Sequence, residues 1–499
     1  MALSKHADKV GGRVLTMLLL LFSLVFLPAA AACGSPDLPE PGLPYSQSEA
    51  LLSSGLEEAS RLPLIPHYDL KLRIDTESAT YEGSASIDYT NLEQVSLDSV
   101  FLRLFPNGGG TYGNGRLTVS AVKVDDISVD VLLSLDDTVL ELDLQDPLFP
   151  GGQITIDLDF TGSVPLDFEG GGYGIYNMKD HVLSLAGWYP ILSVYDDEGW
   201  NIDPVSSIGD SVYSDIAYYT VEVTAPAGMV HAATGSLVQE KQAEAGLFCA
   251  KYVSGPARDF YMVLGEDLVK KVKEVNGIMV NTYYLVGHEA EADMTLDIAE
   301  DSLKTFSNRF GPYPYKELDI VDVPMNGSVA VEFPGIVVVG SSVFGNAVFT
   351  SHEIAHQWWY NVVGNDVIDD PWIDEALTTY SSLIYYEFNR SGIEYNQVLD
   401  YFKHEYEKIK SSGSDDAVSE GLDYFEKLGG RHYSRIVYSK GAMFYHELRR
   451  EIGDRAFFDA LRDYYADMKY SIASADDLLD RFEEFSGRQL DDLYREWLY

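Results

Sequence analysis

The residues with the clearest chemical potential are His352, Glu353 and His356 in His352-Glu-Ile-Ala-His356. On a helix, positions i and i+4 share one face, so the two imidazoles can present nitrogens to one ion at the about 2.0–2.1 Å that zinc requires. Glu353, beside the first imidazole, can then serve as a base toward water. Five residues with three fixed also arise by chance, and Thr350 and Glu353 stand at the Thr-x-x-Glu spacing of a helix capping box. A third donor decides between the readings. Asp370-Pro371 reads as an N-cap followed by Pro at the first helical position, and the helix it starts carries Glu375, 19 positions after His356. A break at Gly364 lets that helix fold back on the first. Two imidazoles and one carboxylate leave a fourth zinc position for water, the open arrangement of a catalytic site. Taken alone, Glu375 is an ordinary first-turn acid favoured by the helix dipole.

The elements around these residues divide the chain. From His67 to about Leu285 strands dominate: Tyr68-Asp-Leu-Lys-Leu-Arg-Ile-Asp75, Val139 to Leu144 and Ile154 to Phe160 alternate apolar and polar. Pro106-Asn-Gly, Pro150-Gly-Gly and Pro226-Ala-Gly punctuate them. This predicts an antiparallel β domain over 64–285. Near Glu289 the period becomes helical, and strands at Leu318–Pro324 and Gly335–Gly340 sit among helices at Ala290–Arg309, around His352, Pro371–Asn389, Ile393–Ser411, Ser439–Ile452 and Arg455–Ala466, with two short ones after them. Residues 286–499 are therefore expected to be an α+β, mostly helical catalytic domain.

At 499 residues the chain exceeds what one core usually holds, so a multidomain protein is the default. The formal charge of −44 argues against nucleic acid or an anionic lipid surface as the main partner.

The N-terminus runs basic, then apolar from Val14 to Phe26, then Leu-Pro-Ala-Ala-Ala-Ala-Cys33, the order of a secretory signal peptide over 1–32. Small residues ending at Cys33 resemble the lipobox of bacterial lipoproteins, with Ala30 where leucine is usual, and this makes Cys33 the candidate lipidation site. The alternatives are ordinary cleavage at Ala30–Ala32, or an uncleaved anchor from Val14 to Ala32. All three place the protein outside the cytoplasm, and two of them hold it to a membrane of the cell envelope. Residues 33–63, rich in Ser, Pro and Gly, read as a flexible tether in which Leu51–Leu62 can form one short helix. With Cys33 lipidated, Cys249 has no disulfide partner and reads as a small core hydrophobe.

His352-Glu-x-x-His356 with Glu375 resembles the M1 family of gluzincin zinc metallopeptidases, which includes aminopeptidase N and leukotriene A4 hydrolase. Three further segments occur in the family's order: Phe310-Gly-Pro-Tyr-Pro-Tyr315, Val329-Ala-Val-Glu332-Phe-Pro-Gly335 at the family's amine-binding loop, and Tyr438-Ser-Lys-Gly-Ala442. The resemblance implies a saddle-shaped β domain, a thermolysin-like catalytic domain and one Zn2+ per chain held by His352, His356 and Glu375. It implies Glu353 as general base, Tyr438 as oxyanion donor, Glu332 with Ala330 as binders of a peptide's N-terminal end, and Tyr433 as a weaker pocket residue. Tyr438 is otherwise one aromatic among 34 tyrosines. The family's second amine ligand, counted back from Trp188-Tyr-Pro190, falls near Asp180-His181, neither the usual Gln or Glu, and Asp180 is the candidate substitute. Larger members continue into a C-terminal helical domain, and this chain is expected to be a short form with an open cleft. The implied function is an exported zinc aminopeptidase acting on peptides or proteins. A zinc endopeptidase and a non-catalytic peptide-binding surface lipoprotein are the alternatives, and the oligomeric state is not legible.

Overall fold

The computed structural model describes residues 45–499 apart from 63, 210–211, 244–245 and 328. The expected signal peptide, Cys33 and the start of the expected tether lie outside the described residues.

Residues 45–62 do not behave as a tether. A 3₁₀ turn over Tyr45–Ala50 leads into α1 (Ser53–Ala59), and the segment is packed into the body. Leu51 is fully buried and bridges to Tyr315, while the Gln47 amide donates to the Tyr219 carbonyl at 3.2 Å and to Thr220 Oγ1 at 3.2 Å. A Cβ on Gly55 would lie 2.6 Å from the Pro314 carbonyl oxygen, so the lack of a side chain there is what lets α1 dock. Composition suggested a linker, but a few apolar residues with partners in both halves of the chain decide the outcome.

The β-rich part is built on an eight-stranded sheet containing, in order, Ser236–Gln242, Leu247–Val253, Tyr218–Pro226, His67–Asp75, Thr80–Thr90, Gln153–Ser163, Arg116–Val124 and Ile127–Ser128. Alternation drives it: Tyr68, Leu70, Leu72 and Ile74 are buried on one face. Two four-stranded sheets pack with it, and Trp188, Tyr189, Tyr219 and Phe260 form an aromatic cluster in the shared core. One pair departs from the expected antiparallel pattern, since His67–Asp75 runs parallel to Tyr218–Pro226. Alternation identifies a strand but not the direction of its neighbour. Cys249 is buried in Leu247–Val253, as a small core residue should be.

A five-stranded mixed sheet follows, in the order Leu268–Val275, Ile278–Leu285, Glu317–Val323, Ile336–Gly340, Ala330–Phe333. Its first two strands fall within 64–285, but Ile278–Leu285 pairs in parallel with Glu317–Val323, so both belong to the sheet under the catalytic helices. The expected boundary at 285 therefore moves toward Gly265. Helix α2 (Glu289–Arg309) covers this sheet, and α3 (Ala347–Ala355), α4 (Trp372–Asn389) and α5 (Gly392–Ser411) stack beyond it. Helix α4 is buried around its whole circumference from Trp372 to Tyr385, as a helix in the middle of a bundle must be. Two short helices escaped sequence reading, Leu422–Leu428 and Gly430–Tyr433, and a π-helical segment, Ser434–Lys440, precedes helix Gly441–Ile452.

Candidate active site

Helix α3 begins at an Asn346 N-cap whose side chain accepts from Val348 N at 2.9 Å. Thr350 is therefore inside the helix, and the capping-box reading of Thr350 and Glu353 fails. Helix α3 ends as the chain reaches His356, and α4 returns against it with Glu375 in its first turn. His352 Nε2 lies 3.1 Å from His356 Nε2 and 3.1 Å from Glu375 Oε2, and His356 Nε2 lies 3.4 Å from the same oxygen. Ligands at zinc distances in tetrahedral directions are about 3.3 Å apart, so this triangle has the size of one face of a zinc site.

The proton inventory agrees. His356 Nδ1–H donates to the Trp359 carbonyl at 3.0 Å. Thr379 Oγ1 donates to the Glu375 carbonyl at 2.8 Å, which leaves it to accept from His352 Nδ1 at 3.4 Å. Both imidazoles then turn Nε2 lone pairs toward each other and toward a carboxylate, an arrangement that a cation satisfies. The electrostatics favour positive charge at this position, whether it is carried by a proton or by a metal ion. Burial penalises a charge on His356, but the hydrogen bond to Glu375 and the carboxylates of Glu375, Asp374 and Glu353 outweigh it and lift the imidazole to about 9. Burial also works against ionised Glu375, yet the two histidines hold it well below the usual carboxylate range. The donor set of two imidazoles and one carboxylate, nearly dry and net anionic, fits zinc.

Glu353 sits on the same helix, buried, and forms with His352 and His356 a second set of donor atoms within 4.8 Å of one another. The π-helical segment brings in Tyr438, whose hydroxyl donates to Glu375 Oε1 and whose ring stacks on His352 at 5.7 Å and 17°. An extra residue in a helical turn is a common device for aiming one side chain at a functional site. Glu332 comes from the edge strand Ala330–Phe333, with Oε1 3.6 Å from His356 Nδ1. These groups open onto one cleft of about 530 Å³, with Ala330 on one wall and Val398, Tyr401 and Phe402 of α5 on another.

Tyr433 and Asp180 lie away from the cleft. Tyr433 is buried behind Tyr438, edge-on to its ring at 5.5 Å and 82°, and does not line the cleft. Asp180 lies with His181 in the exposed turn between Tyr176–Lys179 and Val182–Leu185, both at positive φ, and is not among the residues that line the cleft. Counting along the chain located the hairpin but not the direction in which its turn projects.

Sequence reading missed Gln357. Its amide donates to the Phe333 carbonyl at 3.0 Å and accepts from Gly335 N at 2.8 Å, fastening the Glu332 strand to the end of α3. The one signal in the sequence was a polar Gln between His356 and Trp358; it is fully buried, and a buried amide must find partners. Asp374 was missed as well. Its Oδ2 lies 3.9 Å from His356 Nδ1, Asn365 donates to its Oδ1 at 3.1 Å, and burial beside Glu375 pushes it up to about 7.

Residues 294–497 match the peptidase family M1 domain. Aminopeptidase M1-B of Oryza sativa subsp. japonica is 24% identical over 454 residues, covering 86% of this chain and 49% of that protein. Aminopeptidase 2, mitochondrial, of Saccharomyces cerevisiae is 22% identical over 462 residues, covering 86% and 45%. The chain thus spans about half the length of these curated relatives. The fold is similar to the crystal structure of an M1 zinc metallopeptidase from Deinococcus radiodurans, with TM-score 0.67, 20% identity and coverage of 87% of this chain and 93% of that one. A mutant of that enzyme bound to a Tyr-Ser-Ala substrate aligns with TM-score 0.64 at 20% identity, over 87% and 93% of the two chains.

Proposed function

Because residues 294–497 form a peptidase family M1 domain, we propose that the chain is a zinc-dependent aminopeptidase that removes residues from the free N-termini of peptides. The observation that carries this reading is the presence of the Glu332 carboxylate in the same cleft as His352, His356 and Glu375. A buried carboxylate beside the reacting position is the partner that a desolvated α-ammonium needs, and it sets the distance from the chain end at which the bond is cut. A zinc ion held by the three donors supplies Lewis acidity to the scissile carbonyl and a lowered pKa to water. Glu353 takes the proton of the attacking water and returns it to the leaving amine. Tyr438 donates to the carbonyl oxygen as negative charge develops on it.

The cleft also favours a second reading. The exposed wall of α5, where Tyr401 is 58% accessible, leaves room for chain on both sides of the cut, as in an endopeptidase. The deciding experiment compares a peptide with its N-acetylated form. The aminopeptidase reading expects kcat/KM to fall at least about a hundredfold on acetylation, because the Glu332 carboxylate loses its cationic partner. Equal cleavage of both forms rejects that reading and selects the endopeptidase.

Export to the cell envelope with anchoring through Cys33 is part of the proposal, supported by the basic and apolar N-terminal order. Intact-mass analysis of the purified chain tests it: a diacylglycerol adduct on Cys33 is expected, and an unmodified Cys33 rejects the lipid anchor.

A further inference from the structure

Arg258 lies outside the site and has no part in the chemistry above, yet it is buried where the β-rich part, the turn after α3 and the C-terminal helices meet. Its Nε donates to the Tyr360 carbonyl, Nη1 to the Ser214 carbonyl at 3.0 Å and Nη2 to the Ser471 carbonyl at 2.8 Å. All three acceptors are main-chain oxygens from segments far apart in sequence. The planar fork of a guanidinium, which an ammonium cannot reproduce, suits this task.

Tyr360 is the unusual member. Its φ is 128°, a conformation that side-chain-bearing residues rarely adopt. The turn containing it is tight: Tyr360 N donates to the Val363 carbonyl at 2.7 Å, and Asn361 N to the His356 carbonyl at 3.0 Å. The preceding carbonyl, that of Trp359, accepts from His356 Nδ1. Gly364 closes the other side, where a Cβ would lie 2.1 Å from Arg258 Cζ.

We propose that Arg258 is a positioning residue for the metal centre: by holding the Tyr360 carbonyl it keeps the strained turn closed, and the turn keeps the Trp359 carbonyl on His356 Nδ1, so that Nε2 faces the ion. The proposal rests on the reading of His352, His356 and Glu375 as a zinc site. It assigns to a residue of the β-rich part a share in metal affinity, and so couples the two halves of the chain through one side chain.

The test is zinc affinity of the full chain, measured by competition with a chromogenic chelator at a temperature where circular dichroism reports the native fold. Arg258→Met is expected to weaken zinc binding about 10–100-fold, the range found when a partner of a metal-bound imidazole is lost. Gly364→Ala, which displaces the guanidinium without removing it, should act in the same direction. Glycine adopts positive φ without cost, so adding Tyr360→Gly to Arg258→Met should recover a substantial part of the affinity, whereas a residue that merely fills space would gain nothing from that second change. Should Arg258→Met fail to fold, Arg258→Lys, with its buried charge but no fork, carries the same comparison with and without Tyr360→Gly. Affinity within threefold of the parent in a folded Arg258 variant overturns the proposal, as does absence of recovery with Tyr360→Gly. A parent chain that binds no zinc would instead reject the metal reading on which the proposal stands.

Discussion

Tyr438 and Glu375 share one hydrogen bond, the tyrosine hydroxyl donating to Oε1 while Oε2 of the same carboxylate faces both histidines. The hydroxyl is therefore parked on a candidate metal ligand. Tyr438→Phe removes the donor and keeps the ring that stacks on His352. The expected outcome is a kcat lower by about 10²–10³ with zinc content unchanged. Steady-state kinetics with metal analysis checks this, and a variant with parental kcat would remove Tyr438 from the reaction.

Glu353 is on the face of α3 with the histidines but is absent from the triangle of closest donors. Glu353→Gln should keep stoichiometric zinc and lose at least about 10²-fold in turnover, the scale of a general base. Loss of zinc in that variant would instead make Glu353 a ligand.

Metal removal should be visible in stability as well as activity. The two Nε2 atoms and Glu375 Oε2 are crowded together without a proton for each contact, so zinc binds the native chain and not the unfolded one. At a free concentration about a thousandfold above Kd this contributes about 4 kcal/mol. Chelation is expected to lower Tm, and added Zn2+ to restore it, in a calorimetric titration. A Tm indifferent to chelator would contradict a preformed site.

Asp319 gives a prediction about pH. It is buried in Glu317–Val323, where desolvation first and the neighbouring Glu317 second raise its carboxyl to about 7, against a hydrogen bond from Asn281 at 2.7 Å. In the unfolded chain it releases its proton near the ordinary value of about 3.9. Between those values the native state binds more protons, so the stabilisation is complete below about pH 4 and is lost as pH rises through 7. Asp319→Asn retains an acceptor for Asn281 and does not titrate. It should raise Tm by a few degrees at pH 8 and by much less at pH 5, and equal shifts at both would show that Asp319 does not titrate in this window.

That His352, His356 and Glu375 come together was legible because it depends on local rules. Four-residue spacing fixes His352 and His356 on one helical face, and Asp370-Pro371 announces the helix that returns with Glu375. Tyr438 was found through the family resemblance, but the π-helical turn that aims it has no pattern in Ser434–Lys440 that periodicity can detect. Asp180 and residues 45–62 were misplaced for a common reason: turn direction and docking depend on partners far along the chain, such as Tyr315 for Leu51, which spacing does not encode. The same holds for Leu268–Leu285, whose alternation marks strands correctly and says nothing of the sheet they join. Gln357 and Arg258 act by bonding main-chain groups, and only the fold reveals which ones.

The docking of residues 45–62 also bears on standoff. A free tether extending to residue 63 would add 19 residues of slack, or roughly 65 Å of extended chain. Because Gln47 and Leu51 are fastened to the body, that length is absent. Any length that separates the body from a point of attachment at the N-terminus is therefore counted from Tyr45 and not from residue 63. A pull applied to the chain before Tyr45 would load first the Gln47 and Leu51 contacts, at the seam between the two halves of the chain.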